Sequence, residues 1–67
     1  MKLSVIIPAK DEEGNIETTL KDINEILLTN NIEHEIIVIN DHSHDSTLEI
    51  LNLLKNNIKE LQIIDNK

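Results

Sequence analysis

Two short polar segments of this 67-residue chain hold residues whose types and spacing could do chemistry. The first loop (residues 8–14) contains one lysine and three consecutive acids. The second loop (residues 40–46) contains Asp41, Asp45 and the His-x-His pair His42 and His44. Imidazole and carboxylate groups together suit zinc or another transition metal. A metal site also needs convergent geometry, so solvated, turn-forming histidines are the default interpretation.

Each polar segment follows an apolar run that predicts a β-strand. Residues 3–7 are β-branched at three positions and end at Pro8, which cannot donate to a sheet ladder. Residues 35–39 show no polar alternation among their apolar positions, which predicts a strand covered on both faces, as in a parallel sheet. Residues 61–64 predict a third strand.

Two helices are predicted between these strands. Apolar residues recur at helical spacing from residue 16 to residue 27, with Asn15 as the N-cap. Residues 46–49 match the capping-box pattern of a second helix, whose N-terminus Asp45 should support electrostatically. The sequence therefore predicts an α/β fold, a β-α-β-α-β three-layer unit with a three-stranded parallel sheet. Both loops should lie on the same rim, at the carboxyl ends of the strands.

Composition excludes several classes of function. The absence of cysteine excludes disulfides and thiolate metal sites and fits a reducing cytosol. A net charge of -7 and the absence of aromatic residues argue against nucleic acid as a partner. The apolar runs are too short to span a bilayer. So small a core, with open sheet edges, predicts either a homo-oligomer or a missing remainder of the domain.

The segments "SVIIPAKDEEGNIETTL" and "EIIVINDHSHDSTLEIL" together resemble the start of the family 2 glycosyltransferases of the GT-A fold. In that family the first strand runs into Pro-x-Tyr-Asn-Glu, and the second into Asp-Asp-Gly-Ser-x-Asp-Gly-Thr. The resemblance implies that residues 1–67 are a single domain or fragment, the N-terminal nucleotide-binding portion of a Rossmann-like GT-A domain. The sequence around the first motif most resembles that of the polyprenyl- or dolichyl-phosphate sugar transferases.

The resemblance also assigns binding residues. Asp41 matches the aspartate that reads the nucleobase, and a carboxylate suits the N–H edge of uracil or guanine; the alternative is an Asx-turn. Glu12 matches the glutamate beside the ribose and base; the alternative is a solvated acidic face. Pro8 and Ala9 would shape the backbone around the base, and Lys10, in place of the family's tyrosine, would approach a phosphate.

Other positions depart from the family pattern. Asn40 replaces the first aspartate of the pair, and His42 and Ser46 replace glycines. His44 stands at the variable or threonine position, and Asp11 matches an asparagine and should fix the loop. We expect these changes to lower nucleotide affinity more than they alter base recognition.

The implied function is the nucleotide-sugar-binding portion of an inverting glycosyltransferase that uses a UDP- or GDP-sugar, with a polyprenyl phosphate as one acceptor. The complete enzyme uses Mn or Mg, held by an Asp-x-Asp motif, and a later carboxylate base. No Asp-x-Asp triplet occurs in this chain, so no catalytic or metal-binding residue is assigned and the chain alone should be inactive. The expected location is cytoplasmic, with the inner face of a membrane as an option for the complete protein.

Two alternatives stay open. The first is a non-catalytic α/β module that self-associates through its exposed sheet edges. The second is a metal-binding module built on the histidines and aspartates of the second loop. Nucleotide binding would separate the glycosyltransferase interpretation from the first alternative, and histidine-dependent metal affinity would favour the second.

Overall fold

The computed structural model describes residues 2–41 and 44–66. Within these residues the elements follow in the order β1 (Leu3–Ala9), α1 (Ile16–Thr29), β2 (His34–Asp41), α2 (Thr47–Lys55) and β3 (Leu61–Asn66). The sheet has the order β1-β2-β3, and both neighbouring pairs are parallel. The predicted α/β class, element order and three-stranded parallel sheet are confirmed. No helix in this part of the chain combines the length and the apolar character needed to cross a bilayer.

All three strands extend further than the sequence predicts. β1 continues through Pro8 to Ala9, β2 continues through Asn40 to Asp41, and β3 continues to Asn66. β1 can include a proline because it is an edge strand of the described sheet, where a missing N–H donor is tolerated. The residues that open the two predicted loops therefore belong to strand ends, and their positions are set by the register of the sheet.

The core lies between the two helices and one face of the sheet. Alternate residues of β2 are buried, whereas Ile37 and Ile39 between them are only half-buried. The buried apolar cluster takes members from both helices, all three strands and the segment before β3: Ala9, Ile16, Leu20, Ile36, Val38, Leu51, Leu54, Ile58 and Leu61. One face of the sheet thus supplies the core, and both helices pack on it.

The opposite face of the sheet is uncovered in the described part of the chain. Ile6 of β1 and Ile64 of β3 are 62% and 53% exposed. The prediction of three layers, with β2 covered on both faces, is therefore wrong for these residues, which form two layers. The physical reason is that two right-handed crossovers advancing in the same direction across the sheet place both helices on the same side.

Candidate functional site

The carboxyl ends of the parallel strands meet along one edge of the sheet. We call this edge, with the loop residues that adjoin it, the rim (residues 9–13, 40–41, 44–47 and 65–66). The register pairs Ala9 with Asn40, and Asn40 with Asp65. Residues from all three strand ends therefore lie side by side on the rim, as the parallel arrangement predicts.

Hydrogen bonds join the first loop to the second. The backbone N–H of Glu12 donates to Thr47 Oγ1 at 2.8 Å, and the backbone N–H of His44 donates to Asp11 Oδ1 at 2.6 Å. Asp11 has φ 52°, in the left-handed region that few non-glycine residues adopt but that aspartate tolerates better than most. The expectation that Asp11 fixes the loop agrees with this contact.

Asp45 connects the second loop both to α2 and to the first loop. Its Oδ1 accepts from the backbone N–H of Thr47 at 2.9 Å and from the Thr47 hydroxyl. Its Oδ2 accepts from the backbone N–H of Glu13 at 3.3 Å. These hydrogen bonds, above all the one from the Thr47 hydroxyl, lower the pKa of Asp45 from its ordinary value because they favour the ionised form.

The two predicted N-cap residues lie at the predicted positions, but other groups make the capping hydrogen bonds. Asn15 and Ser46 stand at the N-cap positions of α1 and α2, yet neither makes a side-chain capping hydrogen bond. At α1, the Glu12 carbonyl instead accepts from the N–H groups of Asn15 and Ile16. At α2, Asp45 satisfies the first backbone N–H, so its predicted supporting role is confirmed and the Ser46 capping box is wrong.

The end of β3 contributes two rim residues that the sequence analysis did not identify. Asn40 is buried, and its Nδ2 donates to Asp65 Oδ1 at 3.1 Å. Asn66 Nδ2 donates to Asp41 Oδ1 at 3.4 Å. The sequence could have indicated these two residues, because Asp65 and Asn66 directly follow the apolar residues of the third predicted strand.

The five predicted binding residues occupy different environments. Ala9 is 2% exposed, so it can shape the rim only through its backbone. The other four are exposed on the rim or beside it: Pro8, Lys10, Glu12 and Asp41. The rim is an open surface, since residues 2–41 and 44–66 enclose no pocket.

The described residues do not fit the divalent metal that the family resemblance implies. Nowhere in residues 2–41 and 44–66 do three histidine or acidic side chains converge in a way that could hold a metal ion. The metal-binding alternative also depends on His42, which lies outside the described residues together with Ser43. We therefore assign no metal ligands and derive no chemical step through a metal.

Comparison with known proteins covers most of this chain. Over 51 residues, 76% of this chain, the sequence is 41% identical to a Synechocystis protein named as an uncharacterized glycosyltransferase. The aligned segment spans 16% of that relative's length. The model of glycosyl transferase family 2 matches residues 4–67, a range that contains both loops and the three strand ends of the rim. This chain therefore belongs to glycosyl transferase family 2.

Proposed function

We propose that this chain is the nucleotide-binding part of an enzyme that transfers a sugar from a UDP- or GDP-sugar to an acceptor. The observation that carries the proposal is the exposed Asp41 carboxylate at the carboxyl end of the central strand, within a family 2 match. Ligands of parallel α/β sheets bind at this edge, where strand ends and helix N-termini meet.

Asp41 is the proposed nucleobase contact. A carboxylate has only acceptor oxygens, so it complements the N–H edge of uracil or guanine. Its Oδ1 accepts a long hydrogen bond of 3.4 Å from Asn66, which orients the group. Two carboxylate oxygens offer about four acceptor positions, so this contact leaves capacity for a base.

Glu12 and Lys10 are the proposed contacts to the ribose and a phosphate. Both side chains are exposed, and the Glu12 backbone is held against the start of α2. The rim is rich in carboxylates, which repel a diphosphate. In the complete enzyme, Mn or Mg bound by residues elsewhere would offset that charge.

The finer parts of the proposal rest on the family resemblance. They are an inverting reaction, a polyprenyl phosphate acceptor, and a cytoplasmic site at the inner face of a membrane. The described residues provide no catalytic base that we can assign, so sugar transfer by the purified 67-residue chain would contradict our assignment of catalysis to other residues.

The test is a titration of the purified chain with UDP and with GDP, in the presence and absence of Mg²⁺, followed by heteronuclear NMR. We expect shifts in the amides around Glu12 and Asp41 that disappear in Asp41→Ala. Asp22→Ala, which removes an exposed acid from α1, is the matched control and should bind normally. Absence of shifts at millimolar nucleotide in a folded sample would refute nucleotide binding.

The uncovered sheet face favours a second candidate function, self-association of the chain. Ile6 and Ile64 are more than half exposed on this face, and exposed apolar patches mark interaction sites. We propose a second copy as the partner, with Ile6→Lys as the test and Lys2→Ala as a surface control. Light scattering should show a dimer or larger assembly that Ile6→Lys dissociates; a monomeric wild-type chain at 0.1 mM, on the order of typical NMR concentrations, would exclude it.

A further inference from the structure

We infer that Thr47 and Asp45 are positioning residues that hold the first loop in the conformation needed for nucleotide binding. This inference rests on the proposed function, because the loop carries Glu12 and Lys10. Neither positioning residue is expected to touch the nucleotide. They act through the backbone of the loop that does.

The contacts form a continuous chain of hydrogen bonds across the rim. Thr47 is fully buried, and its Oγ1 accepts from the Glu12 N–H at 2.8 Å while its hydroxyl donates to Asp45. A hydroxyl that donates to a carboxylate becomes a better acceptor, so the two hydrogen bonds strengthen each other. Asp45 adds a separate contact through its second oxygen, which accepts from the Glu13 N–H at 3.3 Å.

Helix capping alone does not account for this arrangement. A cap needs only the hydrogen bond from the Thr47 N–H to Asp45 within the second loop. The contacts to Glu12 and Glu13 reach residues 35 and 32 positions earlier in the chain. Asp11, directly before them, has an uncommon positive φ, and such conformations persist where surrounding structure holds the chain. The network therefore fixes a loop that is not part of α2.

The test compares Thr47→Val with Thr47→Ser in the full chain. Valine keeps the size of threonine and removes the hydroxyl, whereas serine keeps the hydroxyl and removes only the methyl group. Two quantities are measured: hydrogen exchange of the Glu12 amide without ligand, and affinity for UDP or GDP with Mg²⁺. We expect Thr47→Val to lose Glu12 protection and to bind about three- to tenfold more weakly, as for one lost hydrogen bond. Thr47→Ser should retain both properties.

Each outcome decides a separate question. If the wild-type chain binds no nucleotide, the proposed function fails, whatever the Glu12 amide shows. If it binds and a folded Thr47→Val chain binds equally well, or keeps Glu12 protection, the positioning role is overturned. Equal weakening in Thr47→Ser would also overturn it, because the methyl group would then be responsible. Should Thr47→Val not fold, Asp45→Asn replaces it, and unchanged affinity in that variant would refute the inference.

Discussion

Replacing Asn40 by aspartate restores the residue of the family pattern and should nevertheless destabilise this chain at neutral pH. Asn40 is buried, and its Nδ2 donates to Asp65 Oδ1 at 3.1 Å. Asn40→Asp replaces that donor with a carboxylate oxygen facing another carboxylate. The substitution therefore removes a hydrogen bond and introduces a repulsion between like charges at a partly buried contact.

The magnitude follows from these two terms and one limit. Losing a hydrogen bond to a charged group costs about 1.5–3 kcal/mol. Two like charges about 4 Å apart add about 4 kcal/mol at an effective dielectric constant of roughly 20. Together these terms would reach about 5.5–7 kcal/mol. The total is limited because one carboxyl can instead bind a proton and donate it to the other, which removes the repulsion and restores a hydrogen bond. At pH 7 that protonation costs about 4 kcal/mol for a group of ordinary pKa near 3.9. We expect a total loss of about 3–4 kcal/mol, and a domain of 67 residues has a free energy of unfolding of only about 3–10 kcal/mol.

The sign of the pH dependence is the specific part of this prediction. In Asn40→Asp the repulsion between the two carboxylates raises one pKa of the pair in the folded state above its unfolded value. The destabilisation is therefore full above the folded-state pKa and shrinks as the pH falls towards the unfolded value of about 4. The difference in the free energy of unfolding between Asn40→Asp and wild type should narrow by up to about 1.4 kcal/mol per pH unit over that range.

Urea unfolding from pH 4 to pH 8 tests the prediction. Far-UV circular dichroism is the suitable probe because the chain has no tryptophan or tyrosine. The matched control combines Asn40→Asp with Asp65→Asn, which exchanges donor and acceptor and should recover most of the loss. The reasoning would be refuted if the free energies of unfolding of Asn40→Asp and wild type differed by a constant amount across this pH range. It would also be refuted if the double variant recovered none of the lost stability.

Further predictions concern Asp45 and the core. Because the pKa of Asp45 is lower in the folded chain, ionised Asp45 stabilises the fold fully above pH 3.8, its ordinary pKa. This stabilisation is lost as the pH falls through the folded-state pKa. Asp45→Asn should therefore weaken the dependence of the free energy of unfolding on pH in the acid range. Identical acid limbs in variant and wild type would contradict this. Leu51 is fully buried and Leu53 is 67% exposed on the same helix. Leu51→Ala should cost about 2–5 kcal/mol, and Leu53→Ala should stay within about 0.5 kcal/mol. Equal losses of unfolding free energy in the two variants would contradict the placement of Leu51 in the core and Leu53 on the surface.

The sequence by itself determined the elements, their parallel order and the family. Short β-branched apolar runs and an apolar period of 3.6 residues are local signals, so the three strands and two helices could be identified without tertiary information. Two motifs in order at fixed spacing supported the family 2 resemblance, which the match over residues 4–67 confirmed. The support that Asp45 gives to α2 was also predictable, because the carboxylate lies two residues before the helix N–H that it accepts from.

Only the tertiary structure decided the layering and the connections of the rim. The apolar run of β2 suggested two covered faces, but the direction of the crossovers placed both helices on one face and left Ile6 and Ile64 exposed. The hydrogen bond between Glu12 and Thr47 joins residues 35 positions apart, and the hydrogen bond between Asn40 and Asp65 joins residues 25 positions apart. Local sequence patterns carry no information about such pairs, because their distance is set by sheet register and helix packing.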